Sequence, residues 1–195
     1  MKTIIVDKIG NKEIHLKKGE KILYIAILKK GWKSQTKLTF HLEGENSAVT
    51  FLALITGKNN DKFPFETASI HKAKNTYGHF YIRSVLFENS EINFSGNANI
   101  LPSAKKADSY VSHHTLILSP GAKANTLPAL KIETNDVTAG HSASIEKADK
   151  NLLFYLESRG ISPSAGQKLL VKSFLEKDLH IVRDKETIEK ISKKL

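Results

Sequence analysis

Apolar and polar residues alternate, or apolar residues run briefly, from about Glu13 to Ile145. A period of two places successive side chains on opposite faces of a β-strand, so this pattern predicts strands. The clearest segments are Ile14 and Leu16; Ile22 to Ile27; Leu38, Phe40 and Leu42; Val49, Phe51, Ala53 and Ile55; Phe80 and Ile82; Ile92 and Phe94; Leu116 to Leu118; and Leu130 and Ile132. We expect the four phenylalanines in these segments to lie in the core.

Glycine, asparagine and aspartate separate the predicted strands at short intervals. The breakers include Gly44-Glu45-Asn46, the segment from Gly57 to Asp61, and Asn75. Such residues favour turns, and no segment with helical periodicity lies between the strands. A continuous run of strands is compatible with a sandwich, a barrel or a parallel β-solenoid.

Short strands rich in bulky apolar residues favour the solenoid, because inward positions such as Ile92, Leu116 and Ile132 can stack from one coil to the next. No strict sequence repeat is present. The pattern alone therefore leaves the sandwich as an equal alternative.

The period becomes helical after Ile145. Asp149 is placed to cap a helix that Gly160 ends, and Ser162-Pro163 begins a second helix with a cap and a first-turn proline. Asp184 is placed to cap a third. We expect these helices to cover the last coil of a solenoid or to present an apolar face to another protein.

Composition limits the chemistry of the chain. Its 195 residues contain no cysteine, which excludes disulfides and thiolate metal sites. The formal net charge is +10, but the lysines are spread along the chain, which favours a solvated basic surface over a nucleic-acid site. The first seven residues are too short an apolar run for a signal segment, and no later run has membrane-spanning length, so we expect a soluble, cytoplasmic protein.

A series of motifs in the second half of the chain resembles the core domain of the SufB/SufD iron-sulfur cluster assembly proteins. The order and spacing of the motifs make the resemblance specific. They are His79 to Leu86, Phe94 to Gly96, Ala107 to Tyr110, Leu116 to Ala122, Pro128 to Ile132, Asn135 to Val137, Gly140 to Ser144, and Leu153 to Ile161.

The resemblance implies a mainly β fold, a right-handed parallel β-helix over residues 1–147, with an α-helical region over residues 148–195. It also implies two partners. One is a SufB/SufD-like sibling or a second copy of this chain, and the other is a SufC-type ABC ATPase bound by the C-terminal helices. The chain has no Walker loop of its own. The helical N-terminal region of longer family members is expected to be absent. The implied partner-binding residues are Phe154, Tyr155, Arg159, Gly160 and Phe174.

Two histidines are candidates for a cluster or interface site. The resemblance places His141 where SufD-like members have a histidine implicated at the SufB-SufD interface, and places His113 near the cysteine characteristic of SufB. Ser142 follows where SufB-like members have glutamate, and Ala139 stands where many relatives have cysteine. A SufD-like or homo-oligomeric form is therefore favoured. Neutral imidazole at His141 is a possible iron ligand, and an iron-sulfur cluster is possible in a complex. The alternative is that both are surface or interface histidines with ordinary hydrogen bonds.

We predict a non-catalytic scaffold component, because no catalytic constellation is present. Two other hypotheses stay open at this level. A β-helix enzyme acting on carbohydrate would need clustered carboxylates, and Glu133, Asp136 and Glu146 are sparse. A basic nucleic-acid-binding protein would use the lysine excess.

Overall fold

The computed structural model describes all 195 residues and contains eleven strands in two sheets. Every strand pair is parallel, and successive strands alternate between the sheets, in the orders β1-β3-β5-β7-β9-β11 and β10-β8-β6-β4-β2. We name these sheet A and sheet B. One strand of each sheet makes one coil, so the fold is a parallel β-helix and the solenoid prediction is confirmed.

The strands are β1 (Lys2–Val6), β2 (Lys12–Leu16), β3 (Lys21–Leu28), β4 (Thr36–Leu42), β5 (Ala48–Gly57), β6 (Lys62–His71), β7 (Tyr77–Leu86), β8 (Glu91–Ile100), β9 (Ala107–Ile117), β10 (Lys123–Ile132) and β11 (Val137–Lys147). The helices are α1 (Lys150–Ser158), α2 (Pro163–Glu176) and α3 (Lys185–Ser192), with a 3₁₀ turn at Leu179–Ile181. None of these helices has the length and apolar character needed to cross a bilayer.

Phenylalanines stacked between the two sheets form the core. Phe40, Phe51 and Phe80 are fully buried, and the ring centroid of Phe80 lies 5.6 Å from that of Phe51 and 5.4 Å from that of Phe40. Phe94 is 3% exposed and contacts the same core. The predicted core role of these four rings is confirmed.

The corners between strands recur at a nearly regular spacing, although the sequence contains no strict repeat. Asn46, Asn75 and Lys106 all have φ near +60° and lie 29 and 31 residues apart. The amide of Asn46 donates to the carbonyl of Lys74, and the amide of Asn75 donates to that of Lys105. Asparagine tolerates the left-handed conformation better than most residues, which explains two of these corners.

The three helices begin where the sequence predicts. Asp149, Ser162 and Asp184 each accept a hydrogen bond from a backbone amide in the first turn, and Gly160 ends α1 with φ of +82°. Helix capping depends on a few neighbouring residues, so it is readable from sequence.

The helices do not cover the last coil. Helices α2 and α3 and the 3₁₀ turn pack on the outer face of sheet A, where Leu23, Ile25 and Leu52 point away from the solenoid interior and contact residues of the C-terminal segment. These outward apolar side chains would otherwise face water, so their burial fixes where the helices lie. The contacting residues are Leu179, Val182 and Ile191.

Two predicted inward positions also differ from expectation. Leu116 lies on the outer face of sheet A, buried with Val85 beneath Leu175 of α2. Ile132 belongs to the interior row of β10 but remains 44% exposed, because no further coil covers it. Ile92 is fully buried in the core, as predicted.

Candidate functional site: the last coil and the C-terminal helices

The last coil of the solenoid, formed by β10 and β11, has no neighbour on its outer side. β10 pairs only with β8, and β11 pairs only with β9. Both strands therefore carry a row of backbone amides and carbonyls without strand partners, over ten and eleven residues. Long free edges of this kind are templates for pairing with another chain.

His141 lies in the middle of this open end. Its Cα is in register with that of Val111, which is 1% exposed, so the His141 side chain belongs to the row that faces the interior in the coils below. With no coil above it, His141 is exposed. Ala139 and Ala143 share its row and leave space around it.

His113 lies in the same interior row, one coil below. It is 1% exposed, and its Nε2 lies 3.1 Å from the hydroxyl oxygens of both Ser84 and Thr115. Its ring packs edge-on against Phe94. Burial lowers the pKa of His113 to about 3, so the imidazole is neutral at pH 7. The Nδ1 atom is buried without a hydrogen-bond partner.

Adjacent His114 points the opposite way. It lies half-buried on the outer face of sheet A, in register with Arg83, and its Nδ1 is 2.8 Å from the Ser144 hydroxyl. Burial, and then the charge of Arg83, lowers the pKa of His114. Of the two neighbouring histidines, only His113 shares a face with His141, as strand alternation requires.

An aromatic pair on α1 forms the most exposed apolar surface of the helical region. Phe154 is 73% exposed and Tyr155 is 53% exposed, while the Arg159 guanidinium lies 5.3 Å from the centroid of the Tyr155 ring. We name Phe154, Tyr155 and Arg159 the α1 surface. No residue of α1 is buried, so this helix gains little from packing within the chain.

The other two predicted partner-binding residues are placed differently. Gly160 ends α1, directly after Arg159. Phe174, on α2, is half-buried among residues that pack against sheet A, and the Arg83 guanidinium lies 5.0 Å from its ring centroid. Phe174 thus contributes to holding α2 on the solenoid.

Sequence reasoning missed the ion pair that holds the segment after α2 against sheet A. Arg83 Nε donates to Asp178 Oδ2 at 2.6 Å, and Arg83 Nη2 donates to Asp178 Oδ1 at 3.4 Å. Both side chains are buried. Arg83 was predictable as an outward residue of β7, but no local signal connects it with a residue 95 positions later.

Comparison with known proteins identifies a family for this chain. The family described as "SUF system FeS cluster assembly, SufBD core domain" matches residues 6–174. The chain is 31% identical over 137 residues to the iron-sulfur cluster assembly protein SufD of Bacillus subtilis, an alignment covering 70% of this chain and 31% of that protein. It is 26% identical over 143 residues to SufD of Escherichia coli, covering 73% and 34%.

A SufBD family protein of Synechocystis is 29% identical over 133 residues, covering 68% of this chain and 28% of that protein. The chain thus spans about a third of the length of the curated relatives it matches. Because the family match covers most of the chain, including both free edges and α1, this protein belongs to the SufBD core family of the SUF iron-sulfur cluster assembly system.

Proposed function

We propose that this chain is a non-catalytic scaffold component of a SUF-type iron-sulfur cluster assembly complex and that it engages an ABC-type ATPase through its C-terminal helices. The observation that carries the proposal is the exposed α1 surface in a chain of this family. An aromatic pair flanked by arginine is typical of the residues that dominate protein interfaces.

The way α1 is held supports a partner contact at this surface. Helix α1 is capped by Asp149, and Leu156 contacts Gly166 of α2, while Phe154 and Tyr155 face water. A helix whose largest apolar side chains are left exposed is stabilised when a partner covers them. Covering both rings would remove enough apolar surface to contribute about 3 kcal/mol or more to binding.

The second contact is the open last coil. Pairing β10 and β11 with the corresponding edges of a second β-helix would extend both sheets and satisfy their free backbone groups. The partner is a second copy of this chain or a SufB-like sibling. Pairing there would place His141 at the junction of the two solenoids.

The cluster itself is cargo in this proposal. The chain contains no cysteine, so thiolate ligands must come from a partner. His141 is an exposed imidazole at the proposed junction and is suited to contribute a nitrogen ligand. The buried His113 is one coil away along the same interior row.

Co-expression with a SufC-type ATPase tests the α1 contact. We expect the ATPase to co-purify with the tagged chain, and the double variant Phe154→Ala/Tyr155→Ala to lose at least nine-tenths of it. Leu127→Ala is the matched control, since Leu127 is 66% exposed on the outer face of sheet B.

Retention of the ATPase by a folded double variant would contradict the assignment of α1. Absence of the ATPase from every preparation, including that of the unaltered chain, would contradict the proposed function itself.

A further inference from the structure

A second cluster of metal-ligating side chains lies on the outer face of sheet B, far from the last coil. Glu13 and His15 are on β2, and His41 is on β4, in register with His15. β2 and β10 form the two opposite edges of sheet B. Four strand spacings separate them, which is about 19 Å, so this cluster is distinct from the site around His141.

The separations between the ligand atoms match those around a small metal ion. His41 Nε2 lies 3.3 Å from Glu13 Oε2, and His15 Nε2 lies 3.8 Å from the same oxygen. Ligands about 2.0 to 2.1 Å from a tetrahedral ion are about 3.3 Å from one another. One ligand atom from each of the three residues lies within 4.8 Å of the others.

The cluster has an outer layer that orients one of its ligands. His15 Nδ1 is 3.1 Å from Glu43 Oε1, and Lys72 Nζ donates to the same carboxylate oxygen at 2.8 Å. A carboxylate that accepts the Nδ1 proton fixes the tautomer in which Nε2 carries the free lone pair. Carboxylate-histidine-metal arrangements of this type are usual around zinc.

His41 gives a second, independent indication that this cluster binds a metal ion. Its side chain is only 12% exposed, yet neither ring nitrogen has a hydrogen-bond partner. The Glu13 carboxylate lies 3.3 Å from His41 Nε2 but does not form a hydrogen bond with it. A buried imidazole without partners is unfavourable, and a bound ion would satisfy its Nε2 lone pair.

One adjustment is needed for both rings to bind one ion. The imidazoles of His15 and His41 are stacked, with centroids 4.4 Å apart and planes inclined by 3°. An ion lies in the plane of each imidazole that binds it, so one ring must tilt. His15 is 51% exposed and Glu13 is 66% exposed, so both have room to move toward the more enclosed His41.

We propose that Glu13, His15 and His41 form a binding site for a divalent transition-metal ion of the zinc type. Glu13 Oε2 and the two Nε2 atoms supply three ligands, and water completes the coordination. The ion would join β2, the edge strand of sheet B, to β4. It would therefore stabilise the N-terminal coils and would take no part in cluster assembly at the opposite end.

Zinc titration of the full-length, tag-free protein by isothermal calorimetry tests this site. We expect one ion per chain, with His41→Gln and Glu13→Gln each weakening binding at least tenfold and Glu43→Gln weakening it roughly tenfold through its effect on His15. His180→Gln is the matched control, because His180 is exposed and contacts only a backbone carbonyl. It should bind zinc like the unaltered protein.

A spectroscopic measurement completes the test. Cobalt(II) should give the visible absorption of a four-coordinate ion with the unaltered chain and not with Glu13→Gln. Because Glu13 is largely exposed, its substitution leaves folding intact even if His41→Gln does not. Absence of zinc binding up to about 1 mM, or binding that neither substitution weakens, would overturn the proposal.

Discussion

The buried pair of Arg83 and Asp178 offers the sharpest test of how the helices are held on the solenoid. Arg83 extends from the outer face of β7, and Asp178 lies between α2 and the 3₁₀ turn. The Asp178 side chain makes no capping hydrogen bond, so replacing it removes the ion pair without removing a helix cap. We consider Asp178→Leu alone and combined with Arg83→Met.

The loss of stability expected for Asp178→Leu comes from the unpaired charge of Arg83. The single change leaves a guanidinium that is 6% exposed without its carboxylate, and breaking a buried pair in this way costs about 3–5 kcal/mol. The contact between the Arg83 guanidinium and the Phe174 ring is present before and after the change, so it does not alter the difference in stability. We therefore expect Asp178→Leu to lower the free energy of unfolding by about 3–5 kcal/mol.

The double variant should behave differently. Replacing both partners with apolar side chains of similar size leaves no buried charge and is often neutral or stabilising. We expect the double variant to regain most of the lost stability, so that the two changes are strongly non-additive in a double-mutant cycle.

Urea unfolding followed by two signals measures the effect. Helical circular dichroism reports on the C-terminal region, and fluorescence reports on Trp32, whose ring packs against Phe63 in the solenoid. The division into a β-helix over residues 1–147 and a helical region over residues 148–195 predicts that Asp178→Leu shifts the helical transition more than the Trp32 transition. A loss below about 1 kcal/mol, or a double variant as unstable as the sum of the single ones, would refute this reasoning.

Three other predictions concern the interior and the open end. Gly96→Ala should lower the free energy of unfolding by about 1–3 kcal/mol, because the added Cβ would lie 2.6 Å from a valine methyl group. Gly140→Ala should be tolerated, because the nearest contact of its added Cβ is at 3.5 Å. Urea midpoints distinguish the two variants, and equal losses of stability would contradict this packing. Burial lowers the pKa of His71 to about 4 and that of His113 to about 3, so the unfolded chain takes up protons first as the pH falls below about 6.5. Stability should be full above that pH and fall by up to about 2 kcal/mol per histidine at pH 5, and unchanged urea midpoints between pH 7.5 and 5 would argue against neutral buried imidazoles. His141→Ala should reduce cluster assembly in a complementation assay while changing stability by less than about 0.5 kcal/mol, and normal assembly would remove His141 from the site.

Local signals in the sequence were sufficient for the helices and for the strands after about Glu13, whereas β1 (Lys2–Val6) lies before the predicted alternation and was missed. Alternation predicted the strands, and Asp149, Ser162 and Asp184 predicted the helix starts, because caps depend on residues within one turn. The choice of a solenoid over a sandwich came from the family resemblance, since alternating side chains are common to both folds.

What the sequence could not supply was information on pairing between distant residues. The open last coil and the position of the helices on sheet A depend on which outward side chains are apolar, and that requires strand register. The same limit concealed His15 and His41, which stand at polar positions of separate strands and become neighbours only through the pairing of β2 with β4.

We propose that this chain works by joining other proteins, through its last coil and through α1. Native mass spectrometry of the chain co-expressed with a SufC-type ATPase and a SufB-like sibling tests it most directly. We expect a complex that contains the 21.7 kDa chain, the ATPase and a second β-helix, which is either the sibling or another copy.

Ala143→Arg, which places a charge in the exposed row beside His141, should release the second β-helix and retain the ATPase. Ala129→Arg, on the outer face of β10, should release neither. Recovery of the unaltered chain as a single 21.7 kDa species, with neither partner attached, would contradict the account.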